Sequence, residues 1–341
     1  MKKFLLKLSY TVLPLWLAIV GCVFYISLYV SPRMSGDIGH LVCIPFGHEY
    51  NEMLDRQTVK DTLFATIATT EGLRTVHADV LTIGDSFSQQ KNCGYQNYIA
   101  QAGFTVANTE RHLYSSPLQY AFNLLDRGIV DSTNIRFMVV ENIEREFVQN
   151  ILKFSPDVTE LATALPQKTA VNWSAARARD FIMYRLGFST PVYSATLDGD
   201  FFTYDDPRTL YFYREDITLG TAIPKDAEAK VVSAFTTLYE KAQRRGVKLI
   251  ILVAVDKYDL YQSHIAGNTF PAKTVNEDLE RILQHTDTPL PHVVMAKKCL
   301  LPLVERGVKD VFMVNDSHWS YKASEAVAHE LCNTMLLDQV D

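Results

Sequence analysis

Leu81-Thr82-Ile83-Gly84-Asp85-Ser86-Phe87-Ser88 reads as a buried strand that runs into a tight turn carrying a serine. A matching signal lies far downstream, where the apolar Val311-Phe312-Met313 empties into Asn315-Asp316-Ser317-His318-Trp319-Ser320. That polar turn precedes a helix expected from about Ala323 to Met335. Both motifs stand at strand ends. In an open α/β sheet the carboxyl ends of the strands line one crevice, so residues roughly 230 apart in sequence can meet there. A serine hydroxyl becomes a competent nucleophile when an imidazole takes its proton, and the imidazole needs an acid to fix its tautomer and stabilise its charged form. Ser86, His318 and Asp316 are the candidates for those three roles. Either motif alone also fits ordinary turn and capping chemistry; their joint occurrence around a long α/β body is what points to a site.

Four segments carry a resemblance to a known family: Gly84-Asp85-Ser86-Phe87-Ser88, Val139-Val140-Glu141-Asn142-Ile143-Glu144-Arg145, Asp256-Lys257-Tyr258-Asp259-Leu260-Tyr261 and Asp316-Ser317-His318-Trp319-Ser320. The chain resembles the SGNH/GDSL hydrolase superfamily, in the membrane-anchored branch similar to proteins that O-acetylate alginate and other exported polysaccharides. The resemblance implies Ser86 as nucleophile, His318 as general base and Asp316 as its orienting acid. The acid stands two residues before the histidine, the spacing of the polysaccharide-acetylating branch rather than of the wider superfamily. The second-block glycine and the Gly-x-Asn-Asp block have no clear match. Asn142 is then a candidate oxyanion donor, with capping of the next helix as its alternative role, and Arg145, Lys257, Tyr258 and Trp319 are candidates on the substrate side. Arg145 can equally pair with Glu141.

Composition sets the frame for these motifs. A chain of 341 residues accommodates one large α/β domain with appendages. A net charge of −6, with no basic block beyond Lys2-Lys3, argues against a nucleic-acid partner. Thr11 to Val30 is an uncharged apolar run of about 20 residues, the length of a bilayer span. Lys2, Lys3 and Lys7 before it favour a cytoplasmic N-terminus, so residues 1–33 read as a retained signal anchor and the rest as extracytoplasmic. Five cysteines, Cys22, Cys43, Cys93, Cys299 and Cys332, show no metal-ligand spacing. An exported domain can pair some of them as disulfides, with connectivity open.

Residues 34–77 form a lead without evident chemistry, in which a helix is expected over Thr58 to Thr70. From residue 78 onward the expected architecture is a three-layer α/β/α domain with a mostly parallel sheet. Strands are expected at Ala78 to Ile83, Phe104 to Asn108, Ile135 to Val140, Lys248 to Val255 and Val311 to Met313. Helices are expected near Tyr95 to Ala102, Pro117 to Asp126, Lys225 to Arg245, Thr274 to Gln284 and Lys297 to Arg306. An aromatic-rich insertion interrupts the alternation at about 152–224, and its rings are expected to form their own small core.

The expected function is acyl transfer through a seryl ester, O-acetylating an exported or cell-envelope glycan with neither metal nor bound cofactor. Two alternatives share these residues: an esterase that removes acyl groups, and a non-catalytic module that binds glycan or a partner. A domain outside the cytoplasm has no direct access to acetyl-coenzyme A, and the resemblance implies a multi-pass membrane O-acyltransferase as the acyl supplier.

Overall fold

The computed structural model describes residues 2–25, 35–42, 58–157, 179, 182–184, 186–188 and 191–337. Eight strands are described: β1 (Ala65–Ile67), β2 (Val80–Ile83), β3 (Val106–Thr109), β4 (Phe137–Ile143), β5 (Val192–Thr196), β6 (Thr209–Tyr213), β7 (Lys248–Ala254) and β8 (His292–Met295). The helices are α1 (Lys2–Tyr25), α2 (Asp37–Val42), α3 (Thr70–Leu73), α4 (Tyr95–Gln101), α5 (Pro117–Asp126) and α6 (Glu144–Lys153). They continue with α7 (Glu215–Thr218), α8 (Lys225–Arg244), α9 (Lys257–Tyr261), α10 (Val275–Gln284), α11 (Ala296–Glu305) and α12 (Tyr321–Leu337).

Six strands make one sheet in the order β1-β3-β2-β4-β7-β8. Every neighbouring pair in it is parallel. β5 and β6 form a separate antiparallel pair. Because a parallel sheet needs covering on both faces, its strands alternate between two cores. Along β4, Phe137, Val139 and Ile143 face one cluster while Met138 and Val140 face the other. Along β7, Ile250, Leu252 and Ala254 face the first and Leu249, Ile251 and Val253 the second. Helices α4, α11 and α12 contribute to the first core, and α5, α6, α8 and α10 to the second. This is the expected three-layer α/β/α arrangement.

The chain leaves β2, adds β3 on one side, and returns across β2 to lay β4 on the other. That reversal opens a crevice beyond the carboxyl ends of β2 and β4, where open α/β sheets place ligands. Ser86 follows β2, and Asn142, Arg145 and their neighbours follow from β4, so topology brings these segments together.

Local sequence rules hold along most of the body. Ser116 caps α5, its Oγ accepting from the Gln119 N–H at 3.4 Å, with Pro117 at the first helical position. Gly246 ends α8 in the left-handed region, at φ 67°.

Several expectations are corrected. No helix forms over residues 58–69; the β-branched Thr66 and Ile67 instead join the three-residue β1 beside β3. Val311 to Met313 is not a sheet strand. Its N–H groups and those facing it close a loop on themselves: the Met313 N–H donates to His318 O at 3.2 Å and the Ser320 N–H to Val311 O at 2.9 Å. The last sheet strand is β8, which the sequence reading did not contain. The aromatic residues of the insertion do not keep a core of their own: Phe201, Phe202 and Phe212 pack with Tyr258 and Tyr261 in the first main core. Trp173 lies outside the described residues, as does the Pro45-Phe46-Gly47-His48 turn.

At the N-terminus, α1 covers the first part of the apolar run, and residues 26–30 lie outside the described residues. Among the described residues no helix is long and apolar enough to cross a membrane. The bilayer-spanning reading of Thr11 to Val30 is therefore not carried by the structure. Cys22, Cys299 and Cys332 are free thiols, and Cys43 lies outside the described residues.

Leu252 is fully buried between the sheet and the first layer. Leu252→Ala should therefore cost about 2–5 kcal/mol, the usual range for a core leucine cavity, read as a lower urea midpoint. An unchanged midpoint would show that this face of β7 is not core.

Candidate active site

The serine turn is built by its neighbours. Asp85 caps a one-turn 3₁₀ helix, Ser86–Gln89, with Oδ1 accepting from the Phe87 N–H at 3.1 Å. Its Oδ2 accepts from the Ile143 N–H at 2.6 Å, which fastens the turn to the end of β4. From beneath, the Glu141 Oε2 accepts from the Asp85 N–H and from Ser88 Oγ, both at 2.9 Å. Burial, with the charge of Asp85 beside it, pushes the Glu141 carboxyl well above its ordinary range. Gly84 makes the close approach possible: a Cβ on it would stand 2.8 Å from Glu141 Cβ and collide with the Ser88 hydroxyl. Ser86 is left partly exposed at the rim of this packing. Among the described residues, neither its Oγ nor its N–H has a protein partner.

The second motif sits at the tip of the self-closed loop between Val311 and Ser320. His318 Nδ1 lies 2.5 Å from Asp316 Oδ1, and that same oxygen accepts from the His318 N–H at 3.0 Å. Burial alone would raise the Asp316 carboxyl, yet the His318 charge and the hydrogen bonds outweigh it and hold Asp316 well below the carboxylate range. An ionised carboxylate only accepts, so Nδ1 carries the proton and Nε2 offers its lone pair. Nε2 is buried and has no protein partner. Burial also works against the charged imidazole, but the Asp316 charge and hydrogen bond, helped by Asp37, prevail and leave His318 above its ordinary 6.5.

Aromatic packing joins the two motifs. Phe87, next to Ser86, lies with its ring 4.8 Å from the His318 ring and 4.6 Å from that of Trp319. Gln90 Nε2 donates to Trp319 O at 2.8 Å. Lys257 fixes the loop from below, its Nζ donating to the carbonyls of Met313, Val314 and Asp316 at 2.6, 3.0 and 3.0 Å. Three acceptors match the three protons of an ammonium group, although burial pulls its pKa down to about 7.

The remaining sequence candidates divide by position. Asn142 follows Glu141 along β4 and so points to the opposite layer; its Oδ1 accepts from Asn150 Nδ2 on α6 at 2.7 Å. It is neither beside Ser86 nor the cap of α6, whose N-cap is Ile143. Arg145 does not pair with Glu141. It bonds Asp256 at 2.6 Å and Asp216 at 3.1 Å, and its guanidinium lies over the Tyr213 ring at 5.4 Å. Tyr258 is buried and donates to Pro271 O at 2.9 Å. Trp319 is likewise fully buried, against Phe87 and Phe312. Lys257, Tyr258 and Trp319 therefore support the site from within rather than line its mouth.

Two neighbours of His318 escaped sequence reading. Asp37, on α2, lies with Oδ2 3.7 Å from His318 Nδ1, and Tyr213, on β6, sits near enough that burial and then the Asp37 charge push its hydroxyl well above the ordinary range. The lead is thus not without chemistry. Ligand atoms of Asp37, Asp316 and His318 all fall within 4.8 Å of one another, a spacing a cation can bridge, but N–H and O–H donors already occupy both carboxylates.

Residues 210–340 match the family model of the SGNH hydrolase-like domain of the acetyltransferase AlgX. The match contains Lys257, Tyr258, Asp316, His318 and Trp319, while Ser86, Asn142 and Arg145 precede it. Among curated proteins none matches the chain. The resemblance to the SGNH superfamily, in its AlgX-like form, therefore holds for this part of the chain and supports an enzyme of acetyltransferase or esterase type.

Gly84→Ala forces a methyl group into the Glu141 and Ser88 contacts. The expected loss is about 1–3 kcal/mol, the usual cost of overpacking, together with reduced activity per folded molecule. Unfolding midpoints beside initial rates test it; a variant matching the wild type in both would show that the turn yields freely.

Proposed function

We propose that this chain transfers acyl groups through a seryl ester on Ser86 and O-acetylates an exported glycan. The observation that carries this reading is the Asp316-held imidazole, whose unpaired Nε2 is buried beside the turn that presents Ser86. Nε2 takes the Ser86 Oγ proton as Oγ attacks the carbonyl carbon of an acyl ester donor. The tetrahedral intermediate collapses, the donor's alkoxide leaves with the proton from the imidazolium, and the acyl group stays on Ser86. A sugar hydroxyl then gives its proton to Nε2 and attacks the seryl ester; the serine oxygen recovers the proton as it leaves. The Ser86 N–H is the donor positioned for the oxyanion. Catalytic hydrogen bonds commonly tighten only with substrate in place, in keeping with an unpaired Ser86 Oγ.

Water in the place of the sugar would make the same machinery an esterase, and product analysis separates the two. In this reading the lysine-flanked N-terminal helix holds the domain at the outer side of the cell membrane. A multi-pass membrane O-acyltransferase there supplies the acyl group, because tethering raises the effective concentration of even a weakly bound donor.

Incubation with an activated acetyl ester should add one acetyl group to the protein by intact mass, mapping to Ser86. Ser86→Ala should remain unmodified, and an acetylated Ser86→Ala protein would overturn the assignment. Asp316→Asn should fold normally but acylate more slowly by roughly 10⁴-fold, the size of the corresponding effect in serine proteases.

The pH dependence has a definite sign. The base works only when neutral, so the rate falls as pH drops through the His318 pKa. That pKa is raised, which places the acid limb above pH 6.5. A limb at or below 6.5 would show that the Asp316 charge does not reach the imidazole.

A further inference from the structure

Asp37 is tied to the histidine loop through its N–H and both oxygens of its carboxylate. Its Oδ1 accepts from the Ser317 N–H at 2.7 Å, its Oδ2 from Ser317 Oγ, and its own N–H donates to Asp316 Oδ2 at 3.1 Å. The backbone around it is docked too. The Gly39 N–H donates to Asn315 O at 3.0 Å, and Asn315 Nδ2 donates to Ser35 Oγ at 2.9 Å. Gly36 has φ 71° and presses so closely on the loop that a Cβ there would stand 2.6 Å from the Asn315 carbonyl carbon. A surface aspartate gains nothing from such enclosure: burial, then the Asp316 charge, push its carboxyl above the ordinary range, with His318, Ser317 and Tyr213 only partly compensating. A residue kept at a cost in this place, bonded on both sides of Ser317, has its use in the position of Ser317's neighbours.

We propose that Asp37, carried on the short helix of the N-terminal lead, is a positioning residue of the active site: it sets the Asp316–His318 turn and lays a second carboxylate beside the imidazole. Asp316 Oδ1 holds the ring, and its other oxygen is held in turn by the Asp37 N–H, so the orienting acid is itself oriented. Ser317, between acid and base, is fixed by both oxygens of the Asp37 carboxylate. The charges that face His318 are Asp316 from its own loop, Asp37 from α2 and Arg145 from α6. Tyr213 on β6 reaches it through Asp37, and Lys257 on α9 through the loop carbonyls and the Asp316 charge. Besides Asp316 itself, Asp37 is the one of these that both bonds the loop backbone and adds negative charge near the ring, at 3.7 Å from Nδ1. Removing an opposite charge at such a distance typically shifts a pKa by about 1–3 units.

The consequence for rate rests on the acyl-transfer reading, whereas the consequence for titration does not. The test is an NMR titration of histidine-labelled full-length protein, with the His318 signal assigned by its loss in His318→Gln, beside initial rates with an activated acetyl ester. Asp37→Asn preserves the shape and an acceptor for the Ser317 N–H but removes the charge. It should lower the His318 pKa by about one unit or more, move the acid limb of the rate profile down with it, and reduce kcat by roughly tenfold at unchanged KM. Asp37→Ala loses the loop bonds as well and should reduce kcat by a further roughly tenfold; Asp37→Glu should recover the titration but not the full rate. An unmoved His318 titration in a folded Asp37→Asn protein overturns the proposal whatever its activity. Loss of activity on chelation, restored by added zinc, overturns it in favour of a metal site. A normal titration shift in a protein that Ser86→Ala leaves fully active would sustain the positioning role and remove the seryl mechanism instead.

Discussion

The hydrogen bond from His318 Nδ1 to Asp316 is the contact around which this crevice is arranged. It decides which ring nitrogen carries the proton and thereby which one is left to act as a base. A bond of this kind is of use only if the loop that carries both residues is held still, and the surroundings are arranged to do that. Lys257 holds the loop through three carbonyls from below, Asp37 holds Ser317 from the side, and Phe87 packs against the imidazole from the serine turn. The serine turn is held in its own right, by Asp85 to the end of β4 and by the buried Glu141 beneath. Two loops, each fixed to a rigid sheet, meet at the crevice that the strand order opens.

Much of this arrangement could be read before any coordinates. The strand into Gly84-Asp85-Ser86, the Asp316-Ser317-His318 turn before a C-terminal helix, and the alternation of apolar residues along β4 and β7 depend on local pattern alone. What escaped depends on contacts between distant segments. Asp37 lies in a short lead without periodicity, and nothing near it in sequence marks it as a neighbour of His318. Asn142 looked apt for an oxyanion donor because it stands near the end of a strand; it is turned away because strand side chains alternate and Glu141 occupies the side of the serine turn. Val311 to Met313 has strand composition, yet its backbone groups pair across its own loop and with Lys257 and Tyr261 rather than with a sheet neighbour. β8 was missed because Pro289-Leu290-Pro291 and a single histidine blur a four-residue apolar run.

Beneath the crevice lies a cluster of buried charges: Arg145 between Asp216 and Asp256, and Lys273 against Asp256 and Glu144. Such groups are costly to take from water, and stripping one partner from a buried pair typically costs 3–5 kcal/mol. Burial and the neighbouring Asp256 raise Asp216 to about 7 even with Arg145 and Lys273 beside it. The cluster joins the ends of β4 and β7, the α7 turn after the β5–β6 pair, and the segment before α10. It spans the segments that must be in register for the loop over Lys257 to lie where it does. Arg145 stacks on Tyr213, and Tyr213 feels the Asp37 charge, so this buried charge is continuous with the site.

The bonds between Asp37 and Ser317 close a stretch of chain 280 residues long. Bringing together the ends of a flexible loop of that length costs about 5 kcal/mol of chain entropy beyond a constant, on the (3/2)RT ln n estimate. A few surface-near hydrogen bonds cannot meet that cost from an unfolded chain. The sheet must therefore form first and bring α12 and the histidine loop to its edge before the lead can settle. The lead then settles onto a formed sheet edge, and its local release is what amide hydrogen exchange would report at Asp37 and Gly39.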